Sequence, residues 1–204
     1  MASAVVAVDS ARAALAGEAA DSVVVRWLWW RRRDGKMVAM NIKRVARHLV
    51  MTHWQVSRAF PRDTLCAIDR VIKASETAHA GEIRFVVEGA LDGMPLLKGQ
   101  SARARAIEVY SQLRIWDTEH NNGVLIYLLL ADRNVEIVAD RGIYPKVGQK
   151  EWESICRTME AAFKQENYER GVVSGIQAVT QYLIKLFPAV VRGPNELPDM
   201  PVVL

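Results

Sequence analysis

The stretch that decides the fold reads Trp116-Asp-Thr-Glu-His-Asn-Asn-Gly-Val-Leu-Ile-Tyr-Leu-Leu-Leu-Ala-Asp-Arg-Asn-Val-Glu-Ile-Val-Ala-Asp-Arg-Gly-Ile143. Its centre is a continuous apolar run, short, rich in β-formers and bounded by turn residues. Such a run indicates a strand that is buried on both faces of an α/β sheet. After a polar link at residues 132–134, a second run alternates apolar and polar residues over 135–140. Two runs joined by so short a link predict an antiparallel hairpin.

The residues before the hairpin predict a parallel partner strand. Residues 82–91 alternate as a strand does, and Ser101 suits the N-cap of a following helix. That helix carries an apolar stripe that we expect to be buried, formed by Ala102, Ala106, Val109, Leu113 and Trp116. A strand, helix and strand of this length make a right-handed crossover, so the two strands should be parallel. The predicted class is α/β, with a small mixed sheet of parallel central strands plus an antiparallel edge hairpin.

The hairpin should gather polar side chains at one end of the sheet, where its first strand begins and its second strand ends. These side chains are Asp117, Glu119, Asn121, Asn122 and Asp140. Carboxylate and amide oxygens are hard ligands that suit Ca²⁺ or Mg²⁺, although no EF-hand spacing is present. The alternative is a polar turn into the strand, with Arg141 balancing the carboxylates. Both interpretations stay open at this point.

A second set of polar residues should lie at the opposite end of the sheet. Glu88 follows the first predicted strand, and Asp132 and Arg133 follow the second. Open α/β sheets commonly bind ligands beyond the carboxyl ends of their parallel strands, so these three residues form an alternative site. The simpler interpretation is a solvated hairpin tip. No catalytic residue is assigned, because the sequence shows no nucleophile paired with an activating base.

The net charge of +4 is unevenly distributed along the 204 residues. Residues 1–47 hold nine Lys or Arg against four Asp or Glu, which leaves 18 basic and 19 acidic residues in the remainder. A near-neutral body does not predict specific nucleic-acid binding. No apolar run approaches the length of about 20 residues that spans a bilayer, and the N-terminus lacks the pattern of a secretory signal. We therefore expect a cytoplasmic protein, with weak membrane association through the aromatic and basic residues 26–47 as an alternative.

Four segments are expected along the chain. Residues 1–39 should be a disordered leader or an upstream translation, because Met40 opens a better start. Residues 40–61 form an N-terminal helical arm, 62–187 the α/β domain, and 188–204 an extended tail that its prolines keep from being helical. The two cysteines, Cys66 and Cys156, each follow a helical apolar pattern and are expected to be lone buried thiols.

Several short motifs resemble one known family. They are the sequence Asn121-Asn122-Gly123-Val124-Leu125, the pair Asp132-Arg133, and the spacing of Phe163, Tyr168 and Gly171. Over roughly residues 62–187 the chain resembles the TPM domain family, named for thylakoid-lumen, photosystem-repair and acetylcholine-receptor auxiliary proteins. Residues 81–88, 116–119 and 195–199 resemble its soluble bacterial branch. The chain departs from the common pattern after the edge strand, where Asp140-Arg141-Gly142 keeps one of two glycines.

The resemblance implies a three-layer α/β/α sandwich, divalent-cation binding in some members and an acid phosphatase activity in plant members. We therefore expect a TPM-like accessory or interaction domain with a low-affinity calcium site and an unidentified protein partner. A metal-dependent acid phosphatase is the first alternative. A module bound to a membrane surface through residues 26–47 is the second.

Overall fold

The computed structural model describes residues 42–189 and 195–204. The predictions made for residues 1–39, for Met40 and for most of the aromatic and basic stretch 26–47 lie outside these residues. The division of the chain at residues 61 and 187 stays a prediction.

A four-stranded mixed sheet forms the centre of the described fold. Its strands are β1 (Glu82–Glu88), β2 (Gly123–Leu129), β3 (Asn134–Ala139) and β4 (Val202–Val203), in the order β3-β2-β1-β4. β1 runs parallel to both β2 and β4, and β3 is antiparallel to β2. The predicted hairpin and the predicted parallel crossover are therefore confirmed.

Eight α-helices surround the sheet among the described residues. They are α1 (Ile42–Val50), α2 (His53–Ala59), α3 (Arg62–Glu76), α4 (Gly93–Leu97), α5 (Ala102–Gln112), α6 (Tyr144–Val147), α7 (Gln149–Lys164) and α8 (Tyr168–Leu186). A 3₁₀ turn, Leu130–Asp132, links β2 to the β3 side of the hairpin. None of the helices in this part of the chain is long and apolar enough to cross a bilayer.

Alternate strand residues face two separate hydrophobic cores, as the period of two in a strand requires. Ile83, Phe85 and Val87 of β1 face the core that α3, α7 and α8 cover. Leu125 and Tyr127 of β2 face the core beneath α4 and α5. Because helices cover both faces of the sheet, the fold is the expected three-layer α/β/α sandwich.

The prediction that Trp116 belongs to the buried stripe of α5 is wrong. The helix ends at Gln112, and the chain reverses at Arg114, which adopts a left-handed conformation with φ of 52°. After the reversal Ile115 points into the core, while Trp116 remains 44% exposed. The prediction failed because apolar residues continue at helical spacing beyond Gln112, where the helix ends.

Candidate functional site

The five residues predicted at the hairpin end are divided between surface and interior. Asp117 and Glu119 are exposed, whereas Asn122 and Asp140 are buried. The Asn122 amide donates to the Ala80 carbonyl at 2.6 Å, and its backbone N–H donates to the Thr118 hydroxyl at 3.1 Å. Asn122 therefore fastens the start of β2 to the loop that precedes β1.

Asp140 lies on the other side of the sheet from Asn122. Its carboxylate accepts the Arg141 backbone N–H at 2.6 Å and lies beside the Tyr110 hydroxyl of α5. Burial raises the pKa of Asp140, while the Arg141 N–H and its positive charge act in the opposite direction. The register explains the separation, because Asp140 donates its N–H to the Gly123 carbonyl and Asn122 is one position earlier. Adjacent positions of a strand face opposite sides.

The remaining contacts at this end brace a turn. Arg141 donates from Nε to the Asn121 side-chain oxygen at 2.8 Å, and Asn121 itself is left-handed with φ of 51°. Glycine is required at position 142, because an added Cβ would overlap the Asn121 carbonyl. Among the described residues, no group of three or more His, Cys, Asp or Glu side chains is arranged to hold a metal ion. The cation site at the hairpin end stays a prediction.

The three residues of the alternative site, at the carboxyl end of the sheet, lie in three different environments. Glu88 is buried, where it accepts the Tyr127 hydroxyl at 2.6 Å and the Arg105 Nε at 2.9 Å. Its charge is balanced by Arg105, and burial, followed by the hydrogen bond to the Glu88 carboxylate, raises the pKa of Tyr127. Glu88 thus ties β1 and β2 to α5 within the second core.

Asp132 anchors the N-terminal helix α1. Its carboxylate lies 2.8 Å from Arg44 Nε, 3.3 Å from Arg47 Nη2 and 3.3 Å from His48 Nε2. The Leu91 backbone N–H donates to His48 Nδ1 at 2.9 Å, so Nε2 is the ring nitrogen that faces Asp132. These contacts fix α1 over the carboxyl ends of β1 and β2.

Arg133 lines an open cleft of about 730 Å³ beside that anchored helix. The cleft is formed by α2, the turn between β2 and β3, and the turn between α7 and α8. Its prominent side chains are Trp54, Arg58, Leu130, Tyr168 and Arg170. Sequence reasoning assigned Arg133 to a site but none of these five side chains, because they come from segments that share no spacing or motif.

A cluster of buried acidic side chains at the amino end of β1 was also missed. Glu76 of α3 accepts the Ile83 backbone N–H at 3.2 Å, and its carboxyl shares a hydrogen bond with Asp199 of the C-terminal segment. Burial, followed by the nearby charge of Glu82, raises the pKa of Glu76 to about 8. Glu82 accepts the Leu197 N–H at 3.3 Å, which also holds the C-terminal segment to the sheet.

Comparison with known proteins agrees with this architecture. A family model described as the TPM domain matches residues 57–182, and the chain belongs to that family. A search of the curated proteins found no match.

The solved structures that match the chain include the following three. Protein BA42 of the psychrophile Bizionia argentinensis is 30% identical, with a TM-score of 0.61 over 70% of this chain and 93% of that one. An N-terminal domain from P. gingivalis is 21% identical, with a TM-score of 0.45 over 60% of this chain and 74% of that one. The N-terminal domain of cg2496 from Corynebacterium glutamicum is 12% identical, with a TM-score of 0.45 over 60% and 72%.

Proposed function

We propose that this TPM domain is an accessory domain that binds a protein partner through the apolar surface at the carboxyl end of its sheet. The observation that carries the proposal is the outward stripe of α1. Ile42 and Leu49 are 75% and 77% exposed, and the neighbouring Val50 is exposed as well. Positions i, i+7 and i+8 share one face of a helix. Groups of exposed apolar side chains on a folded domain are typical of interaction sites.

The stripe is part of a wider surface on elements that meet at this end of the sheet. Leu91 connects β1 to α4 and bonds to His48 of α1, while Gly89 packs against Val56 of α2. The exposed large apolar residues on these elements are Ile42, Leu49, Val50, Trp54, Met94 and Leu97. Because Asp132 fixes α1, this surface is already formed before a partner arrives, which lowers the entropic cost of binding.

A protein partner explains the orientation of α1 better than a membrane surface. A helix that lies on anionic lipid directs its Lys and Arg side chains toward the headgroups. In α1, Arg44 and Arg47 instead turn toward Asp132. Asp132 thereby offsets one of their two positive charges within the domain, while the apolar stripe faces outward.

Photocrosslinking in cells tests this proposal. A benzophenone amino acid at position 49 should give a covalent adduct with one protein, and the same amino acid at position 184 serves as the control. Ile184 is also an exposed apolar residue, but it lies near the other end of α8 from the cleft. The purified partner should lose binding to a Leu49→Asp variant that keeps its melting temperature. Identical adducts from both positions, or flotation with anionic vesicles that Leu49→Asp abolishes, would overturn the proposal.

The finer part of the proposal is a low-affinity Ca²⁺ or Mg²⁺ site at the hairpin end. It is supported by the exposed carboxylates of Asp117 and Glu119, two positions apart in the segment between α5 and β2. Calcium should then raise the melting temperature by mass action, and Asp117→Asn should remove the rise. Exposed Asp63 on α3 provides a matched control, Asp63→Asn. Unchanged stability of the wild type at millimolar calcium and magnesium would remove the site.

The phosphatase alternative has weaker structural support. Glu88 is engaged by Arg105 and Tyr127, and Asp132 is engaged by α1, so neither carboxylate is presented to a substrate. We expect little turnover of p-nitrophenyl phosphate. Robust turnover that Asp132→Ala abolishes, with the fold retained, would favour the enzyme instead.

A further inference from the structure

We propose that the cleft lined by Arg58, Arg133 and Arg170 binds a small ligand that joins an oxyanion, phosphate or carboxylate, to an aromatic ring. The proposed site does not rest on partner binding, although Trp54 borders both the cleft and the apolar surface. The inference comes from the position, charge, floor and size of the cleft.

The position of the cleft is set by the topology of the sheet. Leu130 and Arg133, which line it, directly follow the carboxyl end of β2, one of the two central parallel strands. Open α/β sheets bind ligands outside the carboxyl ends of such strands, where the following segments diverge. Here the 3₁₀ turn after β2 and helix α2 form two sides of the cleft, and the beginning of α8 forms the third side.

The charges of the cleft favour an anion. Within residues 42–189 and 195–204, neither Arg133 nor Arg170 forms a salt bridge, and Arg58 makes its described contact with the ring of Trp54 at 5.5 Å. Two carboxylates also line the cleft, those of Glu166 and Glu169, and Glu169 accepts a hydrogen bond from the Thr64 hydroxyl at 2.9 Å. Three arginines against two glutamates leave the lining with a net charge of +1, and within the described residues none of the three guanidinium groups forms a salt bridge. Planar guanidinium groups bind phosphate and carboxylate with two parallel hydrogen bonds.

The floor of the cleft favours a flat apolar group beside that anion. Tyr168 is fixed between two aromatic rings, 5.5 Å from Phe60 and 5.6 Å from Phe163, centroid to centroid. Leu130 is buried beneath, and Trp54 stands exposed on the wall. A ligand ring would pack against Trp54 and Tyr168 while its oxyanion reaches the guanidinium groups. The cleft volume of about 730 Å³ lies within the roughly 300–1,000 Å³ usual for small-molecule sites.

Binding is tested with defined probes on the full chain by amide chemical shifts. Phenyl phosphate and benzoate separate the two sources of oxyanion, and neutral phenol controls for the ring. We expect saturable shifts at Trp54, Arg133 and Tyr168 with one or both anions. The affinity for phenol should be at least about ten times lower, because phenol lacks the charge-assisted contact. Binding by phenyl phosphate alone or by benzoate alone identifies the preferred oxyanion and supports the proposal equally.

Variants locate the site. Arg133→Gln and Arg170→Gln should each weaken binding by about tenfold without changing the melting temperature. Arg157→Gln on α7, whose arginine pairs with Glu153 away from the cleft, should leave binding unchanged. Shifts that map elsewhere, equal effects of all three variants, or equal binding of phenol would overturn the proposal. Because Leu49→Asp leaves the cleft intact, failure of this site and failure of partner binding give different results.

Discussion

Replacing Glu76 by glutamine should change how the stability of the domain depends on pH. Glu76 is only 3% exposed, accepts a backbone N–H from Ile83 and shares a hydrogen bond with Asp199. Burial raises its pKa from 4.5 to about 8. At neutral pH the side chain is therefore a neutral acid in the fold and a carboxylate in the unfolded chain. Glutamine keeps the shape, the acceptor oxygen and a donor, but it does not titrate.

The sign and size of the effect follow from linkage. A carboxyl whose pKa is higher in the fold gives its full stability below 4.5, and that stability is lost as the pH rises toward about 8. Each pH unit in this window lowers the free energy of unfolding by about 1.4 kcal/mol. The loss from this group is therefore about 3 kcal/mol between about pH 5.5 and about pH 8.5. Glu76→Gln should escape that loss.

Urea unfolding of both proteins across this pH range measures the difference. Other buried acids, including Glu82 and Asp140, also have raised pKa values, so the wild-type curve alone does not isolate Glu76. The variant minus wild-type difference does, and it should grow with pH by about 3 kcal/mol. Glu151→Gln at an exposed position of α7 should give a constant difference. Parallel curves for wild type and Glu76→Gln would refute the reasoning.

Three further predictions concern the fold. Asp132→Asn should speed amide exchange in α1 while exchange in α7 stays unchanged, because the carboxylate holds the arginines of α1; equal acceleration in both helices would contradict this. Gly142→Ala should cost about 1–3 kcal/mol in urea unfolding, since the new Cβ overlaps a backbone carbonyl, and a neutral result would refute the close approach. Trp116→Ala should cost less than about 1 kcal/mol. Trp152→Ala, at a residue 3% exposed, should cost about 3–5 kcal/mol, and the reverse order would show that the burial is misassigned.

The hairpin was predictable because its information is local. The run at 124–130 is apolar on both faces, and such a continuous apolar run is typical of a central strand. The exposure of Trp116 could not be predicted in the same way. It depends on the chain reversal at Arg114, a left-handed residue that follows the helix although neither glycine nor proline marks its end. β4 has only two residues, and its pairing depends on buried contacts of Glu82 and Arg84 far upstream.

The candidate sites show the same limit. The hairpin correctly brings Asn122 and Asp140 to one end of the sheet, but strand alternation directs them to opposite faces. Knowing the register to one residue would have shown this. The arginine cleft had no comparable signal, because Arg58, Arg133 and Arg170 line one cleft only after three segments distant in sequence have packed together.

The parallel pairing of β4 with β1 has a consequence for the order of folding. Arg84 of β1 donates to the Met200 carbonyl across a separation of 116 residues, so this contact closes one of the longest loops in the described chain. Contacts of such separation form late, and during synthesis every other described element leaves the ribosome before Val202. Until then one edge of β1, an entirely buried strand in the finished fold, offers open hydrogen bonds to any neighbouring chain. Nascent molecules would be most prone to aggregate in that interval, and a chaperone that shields an extended apolar edge would protect them.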